Sequence, residues 1–232
     1  MLSGRLPNCF MHWRKLIVLN LAGNNFFEEV PTSLGSLSRL KTLNLNNNNF
    51  SGELPSSLGN CSSLIVMDLG KNRFSRNVPA WIGEGLPRLF SLSLHSNKFS
   101  GSISLHLCWL KDLQFLELSL NDIYGTILQC FKNFTVMTQE GTSSVGIIKH
   151  FIPYSYYNDV TYWKEHVDSV MVIFQGLELK FSSGIVGFLK IIDLSRNKLE
   201  GELPSEILSL LGLRALNISG NNLIEGIPKM IG

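Results

Sequence analysis

The residues of this chain whose side chains carry out chemistry in other proteins do not form a catalytic pattern. His95 could act as a base, but the sequence places no nucleophile beside it. Paired carboxylates, a metal-ligand cluster and a phosphate-binding loop are also missing from the sequence. The sequence therefore predicts a protein that is not an enzyme and that uses no cofactor and no metal.

Four cysteines, Cys9, Cys61, Cys108 and Cys130, lack the short spacings of metal sites. Cys61 stands where an earlier segment has Leu37, so we expect it to be a buried small hydrophobic residue. Cys108 and Cys130 lie in nearly equivalent places of two neighbouring segments. They can form a disulfide in an oxidising compartment if their Cα atoms lie about 4.4–6.8 Å apart. The sequence leaves this disulfide open.

Four Asn-x-Ser/Thr triplets are candidate N-glycosylation sites, with acceptors Asn49, Asn60, Asn133 and Asn217. Asn60 and Asn133 fall in predicted back loops and are the favoured acceptors, whereas Asn49 lies close to a predicted turn. An asparagine-rich sequence also forms such triplets by chance, so they do not establish secretion alone.

One spacing, L-x-x-L-x-L-x-x-N, recurs along the chain and determines its organisation. It occurs seven times, and 25 of the 28 positions hold the expected Leu or Asn while the others hold Met or Ile. The units are Leu16-Leu19-Leu21-Asn24, Leu40-Leu43-Leu45-Asn48, Leu64-Met67-Leu69-Asn72, Leu89-Leu92-Leu94-Asn97, Leu113-Leu116-Leu118-Asn121, Leu189-Ile192-Leu194-Asn197 and Leu213-Leu216-Ile218-Asn221. This spacing is that of the leucine-rich repeat.

The spacing has a direct physical meaning, because alternate residues of a strand point to opposite sides. Leu43 and Leu45 point inward, while Thr42 and Asn44 point outward. One strand cannot bury its apolar side alone, but stacked copies form a parallel sheet over a continuous core. The predicted fold is therefore an α/β-type solenoid with a parallel sheet on its concave face and an irregular or 3-10 convex side.

Three further columns of the repeat complete the expected core and turns. Each unit has an apolar residue two positions after its asparagine, and the set is Phe26, Phe50, Phe74, Phe99, Ile123, Leu199 and Leu223. A back column comprises Leu34, Leu58, Ile82, Leu107, Phe131, Ile207 and Ile231. The asparagines are expected to satisfy the backbone groups of the turns, and this structural ladder comprises Asn24, Asn48, Asn72, Asn97, Asn121, Asn197 and Asn221.

The outward strand positions are the candidate ligand-binding surface, because they vary while the inward positions do not. They carry small polar side chains together with Phe115, which we expect to be exposed beside His95 and Glu117. Such a surface suits a protein or peptide partner more than a small molecule. The candidates on the predicted sheet are Asp68, Ser93, His95, Phe115, Glu117 and Asp193.

The repeat also contains a Gly-x-hydrophobic-Pro segment, as in Gly52-Glu53-Leu54-Pro55. With it, the unit closely resembles the plant-type leucine-rich repeat, which is typical of extracellular receptor domains. The resemblance implies a second strand near Phe50 and a right-handed superhelical twist.

One unit is interrupted, since the distance from Asn121 to Asn197 is 76 residues instead of 24. We therefore predict repeats over 1–137, an insertion over 138–185 and further repeats over 186–232. The insertion contains an aromatic cluster in which Tyr156 and Tyr157 are ligand-binding candidates. Alternation around Gln175-Gly176 predicts a β-hairpin between 170–174 and 177–181.

This insertion resembles the island domain of plant leucine-rich repeat receptor-like proteins. Further matches to that family are Cys130-Phe131-Lys132-Asn133-Phe134-Thr135 before the insertion and Ile192-Asp193-Leu194-Ser195-Arg196-Asn197 after it. The resemblance implies repeats on the extracellular side of the plasma membrane, attached to a single span with a short tail and no kinase. A longer parent protein with a kinase also remains open.

Composition and the ends of the sequence limit the possible partners. With 20 basic and 18 acidic residues and no basic stripe, the chain gives no support for a nucleic-acid partner. No apolar run approaches the roughly 20 residues of a membrane span, so we expect membrane attachment only through segments missing from this chain. The repeat begins and ends in mid-unit and no signal peptide precedes it. We therefore expect a part of a longer protein.

The predicted function is non-catalytic ligand recognition by a plant cell-surface receptor in defence or development, with a protein or peptide ligand and a co-receptor as partners. On this hypothesis the insertion and the nearby outward positions form one surface. One alternative is a secreted inhibitor of wall-degrading enzymes, although inhibitors of that type lack such an insertion. A second alternative is a truncated remnant without independent activity.

Overall fold

The structure is a computed structural model that describes residues 1–141, 149–155, 161–167, 170–174, 177–181, 189–224 and 226–228. The chain divides into two compact units. The first comprises Met1–Glu140 together with Lys190–Gly232, and the second comprises Gly141–Leu189.

The first unit contains a seven-stranded parallel sheet built from the L-x-L segments of the repeat. The strands are β2 Val18–Asn20, β4 Thr42–Asn44, β6 Val66–Asp68, β8 Ser91–Ser93, β10 Phe115–Glu117, β16 Ile191–Asp193 and β18 Ala215–Asn217. Each strand pairs with the equivalent strand of the next repeat, in the order β18-β16-β10-β8-β6-β4-β2. The predicted leucine-rich repeat solenoid is confirmed.

A second parallel sheet runs through the segments that follow the asparagines, as expected near Phe50. Its strands are β1 Ser3–Gly4, β3 Asn25–Glu28, β5 Asn49–Gly52, β7 Arg73–Asn77, β9 Lys98–Gly101, β11 Asp122–Gly125, β17 Lys198–Gly201 and β19 Asn222–Leu223. They pair in the order β1-β3-β5-β7-β9-β11-β17-β19. In both sheets the strand before the insertion pairs directly with the strand after it. The insertion therefore interrupts one repeat of a continuous stack of repeats.

Short helices close most repeats on the side away from the seven-stranded sheet. The 3-10 helices are Phe10–Trp13, Thr32–Ser36, Ser56–Asn60, Leu105–Trp109, Gln129–Asn133 and Ser205–Ser209. The described part of the chain also contains two short α-helices, α1 Trp81–Gly85 and α2 Thr135–Thr138. Helix α1 lies in the one repeat that is 25 residues long, and an α-helical turn takes more residues than a 3-10 turn.

The asparagines of the repeat link each rung to the one before it. In Asn72, the Nδ2 group donates to the carbonyls of Leu69 and Gly70 in its own rung and of Leu45 in the previous rung, at 2.9–3.1 Å. Its Oδ1 atom accepts the backbone N–H of Phe50 at 3.0 Å. Equivalent bonds occur at Asn48, Asn97, Asn121 and Asn197. The ladder satisfies backbone groups that the strands leave without partners.

The core is a stack of similar layers, one for each repeat. Phe26, Phe50, Phe74 and Phe99 form a column whose neighbouring ring centroids are 6.1, 6.2 and 6.3 Å apart. The rings are offset and nearly parallel, with interplanar angles of 10–22°. The back column is buried from Leu34 to Ile207, and Ile231 lies outside the described residues.

The second unit contains two antiparallel hairpins in its described part. Strand β14 Val170–Phe174 pairs with β15 Leu177–Phe181, with Phe174 opposite Leu177, as the alternation predicts. Strand β12 Lys149–Ser155 pairs with β13 Thr161–Val167, and this hairpin was not expected. Tyr154 and Tyr162 of the predicted aromatic cluster are paired residues of its two strands.

Candidate functional site

A polar column crosses the outer face of the seven-stranded sheet, because the third residue of each strand points outward at the same level. Strand register places its members side by side on consecutive strands. The polar column comprises Asn20, Asn44, Asp68, Ser93, Glu117, Asp193 and Asn217. It includes four of the predicted ligand-binding residues, namely Asp68, Ser93, Glu117 and Asp193.

Side-chain hydrogen bonds join members of the polar column across rungs. The Ser93 hydroxyl donates to Oε2 of Glu117 at 3.2 Å. The Asn217 amide donates to Oδ2 of Asp193 at 3.1 Å. These bonds hold charged and polar groups in fixed positions on the sheet.

Asp68 and Asp193 are also bound to the backbone. Oδ1 of Asp68 accepts from the backbone N–H of Gly70 at 3.0 Å and also from the side-chain Nδ2 of Asn46 at 3.1 Å. Oδ1 of Asp193 accepts from the N–H of Ser195 at 2.9 Å. Each carboxylate therefore closes a local turn after its strand, and this role competes with ligand binding by the same oxygen atoms.

Glu117 has the most perturbed carboxyl group in the described part of the chain. Burial raises its pKa to about 9, and the negative charges of Asp68 and Asp193 act in the same direction. The hydrogen bond from Ser93 and the charge of Lys71 act in the opposite direction but are weaker. Glu117 is therefore protonated at neutral pH and can serve as a hydrogen-bond donor.

His95 lies next to this carboxyl group. Its Nδ1 atom is 2.9 Å from the Ser93 hydroxyl and 3.7 Å from Oε2 of Glu117. The ring lies over Gly70 of the previous rung, where a Cβ would come 2.0 Å from Cε1. Ser93, His95 and Glu117 thus form one packed cluster.

The expectation that Phe115 is exposed is wrong. Its side chain is only 3% exposed, and its ring packs against that of Phe90 with centroids 5.2 Å apart. The other candidates on the sheet are buried as well, from 1% exposure for Asp193 to 9% for Ser93. Accessible outward positions occur on the first strands, where Val18 is 37% exposed and Asn20 is exposed.

Tyr156 and Tyr157, the ligand-binding candidates of the insertion, lie outside the described residues.

The four glycosylation candidates differ in environment. Asn60 and Asn133 are exposed at the ends of 3-10 helices. Asn49 donates to Asn25 at 2.5 Å, and Asn217 is bonded to Asp193 as described above.

The cysteines fall into three environments. Cys108 and Cys130 form a disulfide with an S–S distance of 2.08 Å and a Cα–Cα distance of 5.8 Å. Cys61 is a free, fully buried thiol, and burial raises its pKa to about 11. Cys9 is free and exposed.

The sequence did not predict that three residues next to the outward strand positions are buried. Phe90, Gln114 and Lys190 are the residues directly before their strands, and all three are at most 2% exposed. The Lys190 ammonium donates to the carbonyl of Gln139, and burial together with the charge of Arg214 lowers its pKa. At the equivalent positions Ile17 is exposed and Ile65 is half-buried, so the sequence carried no signal for this burial.

Within the described residues, no three His, Cys, Asp or Glu side chains converge as a metal site. No helix in the same part of the chain has both the length and the apolar character needed to cross a bilayer.

Comparison with known families agrees with the geometry. Two family models, both described as leucine-rich repeat, match this chain. One covers residues 38–99 and the other covers 15–37, 188–210 and 212–232, so that together they span more than half of the sequence. The chain belongs to the leucine-rich repeat family.

Relatives of this leucine-rich repeat chain include plant receptor-like proteins. It is 42% identical over 141 residues to Receptor-like protein EIX2 of Solanum lycopersicum, a match that covers 59% of this chain and 13% of that protein. It is 30% identical over 129 residues to Putative receptor-like protein 8 of Arabidopsis thaliana, which covers 49% of this chain and 13% of the relative. The leucine-rich repeat chain thus matches only a small part of each relative.

Solved structures show the same fold. The Arabidopsis receptor kinase HAESA, solved with the peptide hormone IDA and the co-receptor SERK1, superposes with a TM-score of 0.70 at 26% identity, over 97% of this chain and 29% of HAESA. A TDR receptor gives a TM-score of 0.70 at 27% identity, over 95% of this chain and 29% of the receptor. A plant ice-binding protein also matches, with a TM-score of 0.65 at 20% identity, over 95% of this chain and 54% of that protein. The last likeness concerns the fold alone.

Proposed function

We propose that this chain is the ligand-recognition part of a plant cell-surface receptor-like protein and has no catalytic activity of its own. Its similarity to plant receptor-like proteins supports this proposal. The likeness to HAESA, which was solved with a peptide hormone and a co-receptor, favours a peptide or small protein as the ligand and a co-receptor as a second partner. The repeats then lie on the extracellular side of the plasma membrane, and membrane attachment belongs to segments outside this chain.

The observation that carries the proposal is the polar column on the outer face of the seven-stranded sheet. Its members sit on consecutive strands, and bonds such as Ser93–Glu117 and Asp193–Asn217 fix their positions before any ligand arrives. The backbone groups of the strands are paired within the sheet, so recognition depends on these side chains. A peptide that crosses several rungs can contact such a column with little loss of side-chain entropy.

The members of the polar column differ in burial, and we infer that buried and accessible members have different roles. Asp68, Glu117 and Asp193 are at most 7% exposed, which favours a role in holding the column in place. Ligand contact then falls on the less buried members at the first rungs, the exposed Asn20 and the half-buried Asn44. This division replaces the prediction that the buried candidates themselves touch the ligand.

The experiment is a selection of displayed random peptides on residues 1–232, produced with an added secretion leader. Enriched peptides are synthesised and their affinities measured for the double variant Asn20→Arg/Asn44→Arg. The matched control is Ser38→Arg/Ser56→Arg, which adds the same charge at exposed positions off the sheet. We expect at least about a tenfold loss of affinity for the first variant and none for the control.

Equal affinity of the peptides for both double variants would exclude the outer face as the recognition surface. Enrichment no better than on heat-denatured protein would exclude peptide recognition by this chain. If the folded chain instead inhibits a wall-degrading enzyme through the same two positions, the secreted-inhibitor hypothesis replaces the receptor proposal.

A further inference from the structure

The acceptor asparagines of the glycosylation triplets differ in whether their side-chain amides make hydrogen bonds within the fold. Asn133 is exposed at the last position of the 3-10 helix Gln129–Asn133, and within the described residues its amide makes no hydrogen bond. Asn217 donates to Asp193, and its Oδ1 atom accepts from the Ser219 hydroxyl at 2.8 Å. Asn133 can therefore carry a bulky substituent without breaking an interaction of the fold.

An exposed indole lies on the same side of the solenoid. Trp109 is 57% exposed, which is unusual for the largest apolar side chain, and it ends the 3-10 helix Leu105–Trp109. The ring of His106 packs against it edge to face, with centroids 4.7 Å apart and an interplanar angle of 78°. His106 is fixed in turn, since Nδ1 lies 3.0 Å from the Ser104 hydroxyl and Nε2 lies 3.2 Å from Oε1 of Glu84. The indole is thus both uncovered and held in place.

Two links place Asn133 next to Trp109. The disulfide joins Cys108 to Cys130 on one side of the pair. On the other side, the Thr135 hydroxyl donates to the carbonyl of Lys111 at 3.1 Å. Between these links, Trp109 and Asn133 are the last residues of equivalent helices on adjacent rungs.

We propose that an N-linked oligosaccharide on Asn133 packs over the indole of Trp109. The first N-acetylglucosamine presents an apolar face of C–H groups, which stacks on an aromatic ring while its hydroxyls stay in water. The sugar would cover an apolar surface that is otherwise exposed, and the linkage to the adjacent rung delivers it at high effective concentration. This inference rests on the proposed function, because N-glycosylation requires passage through the secretory pathway.

The test uses residues 1–232 secreted from plant cells with an added leader. Peptide mapping after enzymatic deglycosylation in isotopically labelled water reports the occupancy of each acceptor. Hydroxyl-radical footprinting then reports the oxidation of individual tryptophans in the folded protein. Trp13 is the matched internal control, because it is also 57% exposed and has no acceptor triplet beside it.

We expect Asn133 to be occupied and Trp109 to be oxidised at least about threefold more slowly than in Asn133→Gln, with Trp13 unchanged. Thr135→Ser, which keeps the triplet and its hydroxyl, should retain the protection, and Asn60→Gln should not affect it. Trimming the glycan of the folded protein to its first sugar should also leave Trp109 protected.

An unoccupied Asn133 in the secreted protein, or an occupied Asn133 with Trp109 oxidised as fast as in Asn133→Gln, would overturn the inference. Because the leader is added, either result leaves the proposed function standing. Failure of the proposed function would give a different result. In that case the chain isolated from its source tissue would carry no sugar, whereas the leader-directed chain would still carry a glycan on Asn133 that protects Trp109. The proposed extracellular location would then be wrong and the glycan site would stand.

Discussion

The imidazole of His95 occupies the space that a side chain on Gly70 would need. A Cβ on Gly70 would lie 2.0 Å from Cε1 and 2.2 Å from Nδ1 of the ring. The same Nδ1 atom contacts the Ser93 hydroxyl, which bonds to Glu117. The absence of a side chain at position 70 therefore sets where the His95 cluster sits on the outer face of the sheet.

Gly70→Ala should displace His95 and destabilise the protein. We expect a loss of about 1–3 kcal/mol in the free energy of unfolding, because the added methyl group overpacks a buried site. Urea denaturation of the variant and of the parent protein measures the difference. The control is Gly59→Ala, where the new Cβ would lie an ordinary 3.6 Å from Trp81 and should cost no more than about 0.5 kcal/mol. Equal losses in both variants would show that the contact with His95 has no special role.

Glu117 should make stability fall as pH rises. Its pKa is raised from 4.5 to about 9 in the folded state, so the unfolded chain releases this proton first. Between these two values each increase in pH favours the unfolded state, and above about pH 9 the effect levels off. Glu117→Gln keeps an acceptor for Ser93 and removes the ionisation. The variant should match the parent protein at pH 4 and be about 1–3 kcal/mol more stable at pH 7.

Denaturant titrations of Glu117→Gln at several pH values between 4 and 9 measure this difference. Glu202→Gln, at an exposed position, controls for the loss of one charge. A difference between Glu117→Gln and the parent that does not change with pH would mean that Glu117 is ionised in the folded protein.

Asn72→Ala should cost about 1–3 kcal/mol, because it leaves the N–H of Phe50 without its acceptor and removes one of the donors to the carbonyls of Leu45, Leu69 and Gly70. Asn72→Asp keeps the acceptor but turns a carboxylate oxygen toward the carbonyls of Leu45 and Leu69, so it should be no more stable at pH 7. Thermal and urea unfolding measure both variants. Asn60→Ala, at an exposed position without such bonds in the described structure, should be nearly neutral in unglycosylated protein.

The strands, the asparagine ladder and the apolar columns could be predicted because residues at the same spacing make the same contacts in every repeat. The phenylalanine at position 50, for example, has an equivalent ring in the rungs on both sides. Even the α-helical turn at Trp81–Gly85 coincides with the one extra residue in the spacing. Local repetition is therefore enough to determine most of the first unit.

Features that depend on contacts outside the repeated positions were not predicted. Phe115 is buried against Phe90. Phe90 lies directly before strand β8 and belongs to no predicted column of the repeat. The hairpin of Lys149–Ser155 with Thr161–Val167 was missed because Pro153 interrupts its strand pattern. The high pKa of Glu117 depends on burial and on Asp68 and Asp193 in other repeats, so no single repeat reveals it.

The thiols of this chain should react in three distinguishable steps. In the folded protein only Cys9 should react with a thiol reagent at pH 8, since Cys61 is fully buried with a pKa of about 11. Denaturation without reductant should expose a second thiol, and reduction should release the two from the Cys108–Cys130 disulfide. Two reactive thiols in the folded protein would contradict the burial of Cys61, and four in the denatured, unreduced protein would contradict the disulfide.

The same disulfide should contribute to stability, because it closes a loop between residues 22 positions apart and so restricts the unfolded chain. We expect Cys108→Ala/Cys130→Ala to lose about 2–4 kcal/mol in the free energy of unfolding, and Cys9→Ala to lose none. Urea unfolding under non-reducing conditions measures both. The loss should disappear when the parent protein is unfolded in the presence of a reductant, because the parent then also lacks the cross-link. A loss that persists in reductant would instead come from side-chain packing at Cys108, which is only 3% exposed.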